Sequence, residues 1–495
     1  MTISRRRFLQ VGGAAVAATV GCDHLPDSVL DWYQPTGESR GDGPFQPPAS
    51  GSIDLITHAL NRLSFGARPG EYSRVRNLAS EPDAAFEAYL TQQLRPGDID
   101  DSIADRAVRR FQSLNAPAGE LFEYKERFLL GEMTRAALLR ATLSERQLYE
   151  VMVQFWTDHF NIDSSKGDCR WLKAADDRLV VREHALGKFP ELVRASALSP
   201  AMLWYLDGRV NRVAGDVGGG PNENYARELL ELHTLGVHGG YTQNDVMNVA
   251  RALTGWTVRA RNESTFRLGS VEFVPELHDD ATKVVLGHTI PAGQGSRDLD
   301  HVLALVSLHP STARHIATKL CRRFIADDPP EAAAQAVARA FLNSAGDIRS
   351  TLRTLFRRPE FLSSRGNKFK RPFNYVVSAL RATGARTDAG EQLTDFLLRM
   401  GHAPYQYPTP DGYPEEASPW LGTLLWRWNF AVALSENRIA GTQVDVAGIT
   451  RAAGGDVGLM SHMLGRKPTS GEITAYNESG AGLALMLASP AFQKA

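Results

Sequence analysis

Segment 221–236 carries the densest group of side chains able to do acid–base chemistry, and it reads Pro-Asn-Glu-Asn-Tyr-Ala-Arg-Glu-Leu-Leu-Glu-Leu-His-Thr-Leu-Gly. The leading proline and the closing glycine predict a single helix between them. At about 100° per residue, Glu223, Arg227 and Glu231 share one face, so the arginine lies between two carboxylates, each four residues away. We take Glu223, Arg227, Glu231 and His233 as the candidate catalytic residues.

Two interpretations of this charged face remain open. If it is exposed, it is a solvated stripe whose ion pairs add a few tenths of a kcal/mol each. If it is half-buried, its carboxylates need a partner such as Arg227 or a metal. The apolar residues around the rest of the helix favour the second interpretation. His233 is either a hydrogen-bonded core residue or a metal ligand with Glu228 or Glu231, although that spacing does not place two ligands on one helix face.

Four more residues have the chemistry of ligands for a divalent metal, namely His159, His184, His278 and Asp279. The dipeptide Asp158-His159 ends an aromatic helix and could also provide a general base beside a cleft. Taken alone, residues of this kind more often have a structural role. The sequence does not show whether they meet.

A turn at Gly239-Gly240 separates this helix from a second one that runs through Leu253. Thr242 is a natural N-cap for it, and Asp245 follows three residues later, as in a capping box. The pattern predicts a structural role for Asp245.

The composition excludes several classes of protein. Lys and Arg number 55 against 56 for Asp and Glu, so there is no basic field to attract nucleic acid. The sequence contains no Gly-x-Ser-x-Gly elbow, no phosphate-binding loop of the Walker type and no dinucleotide-binding glycine pattern. Cys22, Cys169 and Cys321 are too few for a disulfide scaffold, and the last two could pair or remain buried thiols.

Apolar residues recur every three or four positions over long stretches, including 55–63, 121–129 and 148–155. We therefore predict an all-α fold, a large multi-helix domain over residues 53–495, with a split near residue 300 as the alternative. One short alternation, 265–274, predicts a strand that forms a small β-hairpin insertion with 283–286.

The N-terminal sequence Ser-Arg-Arg-Arg-Phe-Leu-Gln at residues 4–10 fits the twin-arginine export consensus, with Gln10 in place of the usual lysine. A mild apolar stretch follows that is too short to anchor in a bilayer. Residues 1–22 therefore form a predicted signal peptide read by the twin-arginine translocase. Cys22 ends a sequence like a lipoprotein box, so the protein is either periplasmic or tethered to a membrane by lipid. Residues 23–52 form a predicted Pro- and Gly-rich linker.

Several segments together resemble the bacterial family catalogued as domain of unknown function 1800. The segments that carry the resemblance lie in the expected order at 58–66, 155–160, 199–207, 221–256, 278–279 and 309–313. The resemblance implies a mostly α-helical fold and export from the cytoplasm. It also implies a co-exported neighbour that is alkaline-phosphatase-like or sulfatase-like. The resemblance does not identify any catalytic residue in this sequence.

Three hypotheses about function follow. The first is an extracytoplasmic hydrolase that acts on an envelope or extracellular polymer through the residues of segment 221–236. The second is a non-catalytic assembly or binding partner of the co-exported protein. The third is an anion-binding protein that uses the backbone amides of Gly218–Gly220 before the helix.

Overall fold

Helices make up most of this chain in the computed structural model, which describes residues 43–213, 220–259 and 268–495. The twin-arginine segment, Cys22 and residues 23–42 of the linker lie outside the described residues, as do Gly218 and Gly219. Most of the helices carry apolar residues at the three- and four-residue spacing seen in the sequence. The all-α class is therefore confirmed.

The helices of the first half are α1 Leu55–Leu63, α2 Glu71–Arg76, α3 Pro82–Gln93, α4 Ser102–Arg109, α5 Ala118–Leu121, α6 Glu126–Leu143, α7 Gln147–His159, α8 Cys169–Asp176, α9 Phe189–Ala197, α10 Pro200–Tyr205, α11 Asn224–Glu228 and α12 Gln243–Ala252. Two π-helical segments, Asp177–Arg182 and Leu229–His233, continue α8 and α11.

The helices of the second half are α13 Arg297–Ser307, α14 Pro310–Phe324, α15 Glu331–Asn343, α16 Ile348–Phe356, α17 Pro359–Leu362, α18 Pro372–Ala382, α19 Glu391–Arg399, α20 Leu424–Ser435, α21 Val446–Ala452, α22 Asp456–Leu464, α23 Ser470–Ser479 and α24 Gly482–Ala488. Short 3-10 turns lie at Pro96–Asp98, Gln112–Asn115, Gly208–Val210, Pro275–Leu277 and Ser418–Thr423.

Two of the three apolar windows each lie in a single helix, and the third does not. Windows 55–63 and 148–155 form α1 and the buried part of α7. Window 121–129 is not one helix, because the chain leaves the helical conformation after Leu121 and α6 starts only at Glu126. Lys125 precedes α6 with an extended backbone, so the apolar spacing there spans two helices.

The predicted hairpin was wrong in its pairing. Strand β2, Val271–Phe273, pairs antiparallel with β1, Trp256–Val258, which follows α12 directly. Strand β3, Lys283–Val285, pairs with β4, His288–Ile290, through a two-residue turn at Leu286 and Gly287. Both turn residues have positive φ, as a tight hairpin turn requires. Residues 265–267 of the predicted strand lie outside the described residues.

A third ladder, β5 Arg386–Thr387 with β6 Thr442–Gln443, joins distant parts of the chain. The described residues belong to one compact unit rather than to two units divided near residue 300. Its main apolar core runs from α1 to α24. Within the described residues, no helix combines the length and the apolar character needed to cross a membrane.

The end of the predicted linker contacts the helical body. The amide of Phe45 donates to the oxygen of Ala452 at 2.9 Å, and the amide of Lys467 donates to the oxygen of Ser50 at 2.7 Å. Residues 43–52 therefore pack on the domain that follows them.

Cys169 and Cys321 are free thiols in the core, so the interpretation as two solitary buried cysteines is confirmed. Burial raises the pKa of each thiol to about 12.

Candidate functional site

The motif helix, residues 224–233, is not the single regular helix that the sequence predicted. The α-helical part ends at Glu228, and the chain continues as a wider π turn over Leu229–His233. The hydroxyl of Thr234 donates to the oxygen of Leu229 at 2.6 Å, and the amide of Gly236 donates to the oxygen of Leu230 at 3.1 Å. Because the π turn contains an extra residue, the positions after Glu228 are rotated away from those of a regular wheel.

Two histidines from other helices cap this turn. Its last carbonyl groups have no partner within the helix, as at any helix end. His159, at the end of α7, donates from Nε2 to the oxygen of His233 at 3.1 Å. His315, on α14, donates from Nε2 to the oxygen of Leu232, also at 3.1 Å. Gly236 follows with φ of +84°, and a Cβ there would lie 3.0 Å from Nδ1 of His315.

The surroundings of both capping rings favour their neutral form. Burial, with the positive charge of Lys319 nearby, lowers the pKa of His315 to about 4 and that of His159 well below its usual value. His233 is 1% exposed, and the same causes lower its pKa to about 3. Neither ring nitrogen of His233 has a hydrogen-bond partner within the described part of the chain. His233 is thus a core residue, without the hydrogen bond that this interpretation predicted.

The charged face of the motif helix is half-buried. Arg227 Nη2 forms an ion pair with Glu223 Oε2 at 3.0 Å and also donates to Gln243 at 3.0 Å. Gln243 Nε2 donates in turn to Glu223 at 2.6 Å, which closes a triangle. Glu231 accepts a hydrogen bond from the hydroxyl of Tyr241 at 3.4 Å. The predicted pair of Glu223 and Arg227 is present, and Glu231 belongs to a separate contact.

Another acidic residue of the motif helix, Glu228, was not among the candidate catalytic residues. It is half-buried, and burial raises the pKa of its carboxyl. The carboxylates of Glu231 and Asp411 raise it further, while Arg227 opposes them. Asp411 is exposed and comes from the Pro- and Tyr-rich loop 404–414. The acidic cluster Glu228, Glu231 and Asp411 is therefore open to solvent.

Lys319 on α14 interacts electrostatically with one member of this cluster, Asp411. Burial lowers the pKa of its ammonium group to about 8, although Asp158, Glu415 and Asp411 favour the charged form. Asp411 thus acts on both Glu228 and Lys319. A carboxyl group with a raised pKa and an amine with a lowered one are the groups that acid–base catalysis needs near neutral pH.

The metal candidates do not gather around one point. His278 bonds from Nδ1 to the oxygen of Thr254 at 2.8 Å and lies 3.2 Å from Asp298 through Nε2. Asp279 forms a bidentate pair with Arg251 at 2.7 and 3.1 Å. In residues 43–213, 220–259 and 268–495, no three His, Cys, Asp or Glu side chains are arranged to bind a metal ion.

Of the residues singled out in the sequence, the structure brings His159 and His233 together, with ring centroids 6.2 Å apart. No described hydrogen bond, ion pair or ring contact joins His184, Glu223 or His278 to that pair. The capping box of Thr242 and Asp245 is present at the start of α12. Asp245 also accepts from the amide of Leu286 at 2.7 Å, so its role is structural.

A cavity of about 50 Å³ lies between α7 and the loop that begins at His402. Asp158 lies on its wall, so one half of the dipeptide Asp158-His159 faces a cavity and the other half faces the motif helix. The cavity is lined by Phe65, Ala137, Ala141, Glu150, Val153, Gln154, Thr157, Asp158, Asn161, Arg182, Phe373, His402, Pro404, Tyr405 and Tyr413. Sequence reasoning missed most of these residues. The aromatic richness of loop 404–414 was the one available signal.

Ion pairs surround this cavity. Arg182, at the end of the first π segment, donates to both oxygens of Glu150 at 3.0 Å and to Asp177 at 2.9 Å. Asp158 pairs with Arg371 at 2.7 Å, yet burial raises the pKa of its carboxyl. Arg371 is 1% exposed, and its Nε and Nη2 have no hydrogen-bond partner among the described residues.

A family model described as "Protein of unknown function (DUF1800)" matches residues 58–494. No curated protein matches the chain, and no solved structure matches it. The matched range contains the motif helix, both capping histidines and all the residues that line the cavity. Since the match extends over far more than half of its length, the chain belongs to the DUF1800 family.

Proposed function

We propose that this protein is an exported hydrolase that acts on an envelope or extracellular polymer. The observation that carries the proposal is the solvent-open cluster of Glu228, Glu231 and Asp411, of which Asp411 also interacts with Lys319. Hydrolysis of a glycosidic or similar bond needs one group that protonates the leaving oxygen and one that activates water. A carboxyl group whose pKa is raised suits the first task.

In this proposal Glu228 is the general acid and Glu231 the general base. The raised pKa of Glu228 favours its protonated form. Tyr241 orients Glu231 through its hydroxyl group. Glu223 and Arg227 lie on the same half-buried face and bind the substrate beside the reacting bond. His233 is a positioning residue, because its main chain belongs to the capped turn.

The exposure of the cluster supports a polymeric substrate. Asp411 is exposed, and the two glutamates are half-buried. A long chain can lie across such an open surface, whereas small substrates are usually enclosed in concave pockets.

The proposal is tested with purified envelope polysaccharide, by measuring the release of reducing ends. Replacing Glu228 or Glu231 by glutamine should lower the rate by about a hundredfold or more, since a positioned acid or base contributes about 10²- to 10⁴-fold. Glu223→Gln alters a group that binds the substrate and should lower the rate by less. Glu478→Gln, at an exposed position on α23, is the matched control and should leave the rate unchanged.

Circular dichroism and thermal unfolding of the same variants separate chemistry from folding. If the three variants unfold, the acidic residues form a structural network and the proposal fails. Full activity in Glu228→Gln and Glu231→Gln would also reject it.

One observation favours a second function, that of a non-catalytic partner for a co-exported alkaline-phosphatase-like or sulfatase-like protein. Four apolar residues of α20 and the turn before it have spacings of one helical face, and they are Leu421, Leu424, Leu425 and Trp428, which are 53%, 52%, 66% and 39% exposed. Apolar patches of this kind often mark interaction sites. In a pull-down from periplasm, a stoichiometric partner that is lost with Leu424→Gln and kept with Val457→Gln would support this function.

We also propose that the twin-arginine translocase exports the protein and that lipid is attached at Cys22. Replacing Arg5 and Arg6 by lysine should retain the protein in the cytoplasm of a fractionated cell. Cys22→Ser should abolish labelling by radioactive palmitate without blocking export. Labelling that persists in Cys22→Ser would disprove the anchor.

A further inference from the structure

We propose that the cavity between α7 and loop 402–413 binds a small neutral molecule rich in hydroxyl groups, such as a short polyol. This site is distinct from the acidic cluster of the motif helix and does not depend on the proposed hydrolysis. Its volume of about 50 Å³ has room for about four water molecules, at 10–15 Å³ each, or for a small ligand of similar bulk.

The charged side chains that line the cavity are already paired. Glu150 is bound at both oxygens by Arg182, and Asp158 is bound by Arg371. A charged ligand would have to displace one of these buried partners and leave its charge without compensation, which is costly. The arrangement therefore selects against anions and cations.

Neutral polar groups on the same wall lack partners. The hydroxyl of Thr157, Nε2 of Gln154 and Nε2 of His402 make no hydrogen bond within the described chain, although the first two residues lie one turn apart on α7. The amide of Phe373 donates to Nδ1 of His402 at 3.2 Å, and burial together with Arg371 keeps this ring neutral by lowering its pKa. The ring proton is therefore on Nε2, where it can be donated to a ligand oxygen.

The remaining wall is aromatic. Phe65, Phe373, Tyr405 and Tyr413 line it, and such rings pack well against the C–H faces of sugars and polyols. The combination of apolar surfaces with a few oriented donors is typical of small-molecule sites.

The backbone of Tyr405 is a second, independent indication. Its φ is +64°, in the left-handed region that a bulky residue rarely adopts. The hydroxyl of Tyr405 donates to Asp177 Oδ1 at 3.2 Å, which holds the ring in this position. Strained residues that persist in a fold cluster at binding sites. The conformation of the loop therefore places Tyr405 on the wall of the cavity.

The test is ligand-detected NMR on the full chain, with glycerol and ethylene glycol as neutral probes and acetate and ammonium as charged ones. We expect saturable binding of at least one neutral probe and none of the charged probes. Thr157→Val, which removes one hydroxyl, should weaken binding about tenfold, as expected for the loss of one hydrogen bond. Thr157→Ser keeps the hydroxyl and should stay within about threefold of the parent.

Ala137→Leu places a larger side chain into the cavity and should abolish binding of the neutral probe. Thr394→Val, on the surface of α19, is the control for a threonine outside the cavity. Binding that survives Ala137→Leu in a folded protein, or acetate binding more tightly than both neutral probes, overturns the proposal. If Ala137→Leu does not fold, equal affinity of Thr157→Val and the parent protein overturns it.

Discussion

His159 donates a hydrogen bond from Nε2 to the main-chain oxygen of His233 at 3.1 Å, so one buried histidine fastens the turn that carries the other. His159 was a candidate metal ligand in the sequence, and its Nε2 is occupied by this contact. His315 repeats the arrangement one residue earlier in the turn. Both histidines therefore serve the motif helix through its backbone.

Replacing His159 by phenylalanine should destabilise the protein. The oxygen of His233 would be buried without a partner, which costs about 1–3 kcal/mol. Urea unfolding measures this loss. His238→Phe, at an exposed position in the turn after the motif helix, should change the unfolding free energy by less than about 0.5 kcal/mol. Equal stability of His159→Phe and the parent would show that the cap contributes nothing.

The unfolding free energy should fall as the pH is lowered from about 6.5 to 4. Burial lowers the pKa of His58 and of His233 to about 3, and that of His315 to about 4. In the unfolded chain these rings take up a proton near pH 6.5, so the unfolded state binds more protons in this range and gains stability as the pH falls. Each such histidine adds about 1.4 kcal/mol per pH unit to the slope.

His233→Phe isolates one of these contributions. Urea unfolding at a series of pH values gives the slope of the unfolding free energy against pH. In His233→Phe this slope should correspond to about one proton fewer than in the parent chain. His238→Phe should keep the parent slope. An unchanged slope in His233→Phe would mean that this ring takes up its proton without unfolding.

Gly236→Ala should be more harmful than Gly240→Ala. Both glycines have positive φ, +84° and +87°, so both substitutions carry the left-handed penalty of about 1–2 kcal/mol. Only at Gly236 would the new Cβ crowd the ring of His315, at 3.0 Å, while Gly240 has open space. The difference in unfolding free energy between the two variants measures that crowding. No difference would show that His315 moves aside freely.

Cys169 and Cys321 should resist alkylation in the folded protein. Both are buried, and a pKa of about 12 leaves almost no thiolate at neutral pH. Iodoacetamide followed by mass spectrometry should modify them only after denaturant is added. Rapid labelling of the native protein would contradict the burial of these thiols.

The helices and the capping box were predictable because their signals are local. The apolar spacing of 148–155 and the pair Thr242 and Asp245 act within one or two turns, and both have the structure that they predict. The π turn at Leu229–His233 could not be predicted in the same way. It keeps the composition and spacing of a regular helix, and the histidines that cap it lie outside the motif.

The site depends on still longer distances along the chain. Phe65, Arg182 and His402 come from three separate regions of the sequence and meet only at the cavity. The prediction of the hairpin was wrong for a related reason. The turn at Leu286 and Gly287 pairs the two strands beside it, and Val271–Phe273 pairs with Trp256–Val258 instead. Contacts between segments this far apart in the sequence cannot be predicted from composition or residue spacing.

The caps of the π turn also order events during synthesis. His159 precedes the residue whose oxygen it binds by 74 positions, and His315 follows its own partner by 83. When the ribosome releases the motif helix, one cap has already emerged and the other is still untranslated. The motif therefore reaches its final geometry only after α14 has been translated. In a nascent chain that stops earlier, the oxygen of Leu232 lacks its hydrogen-bond donor.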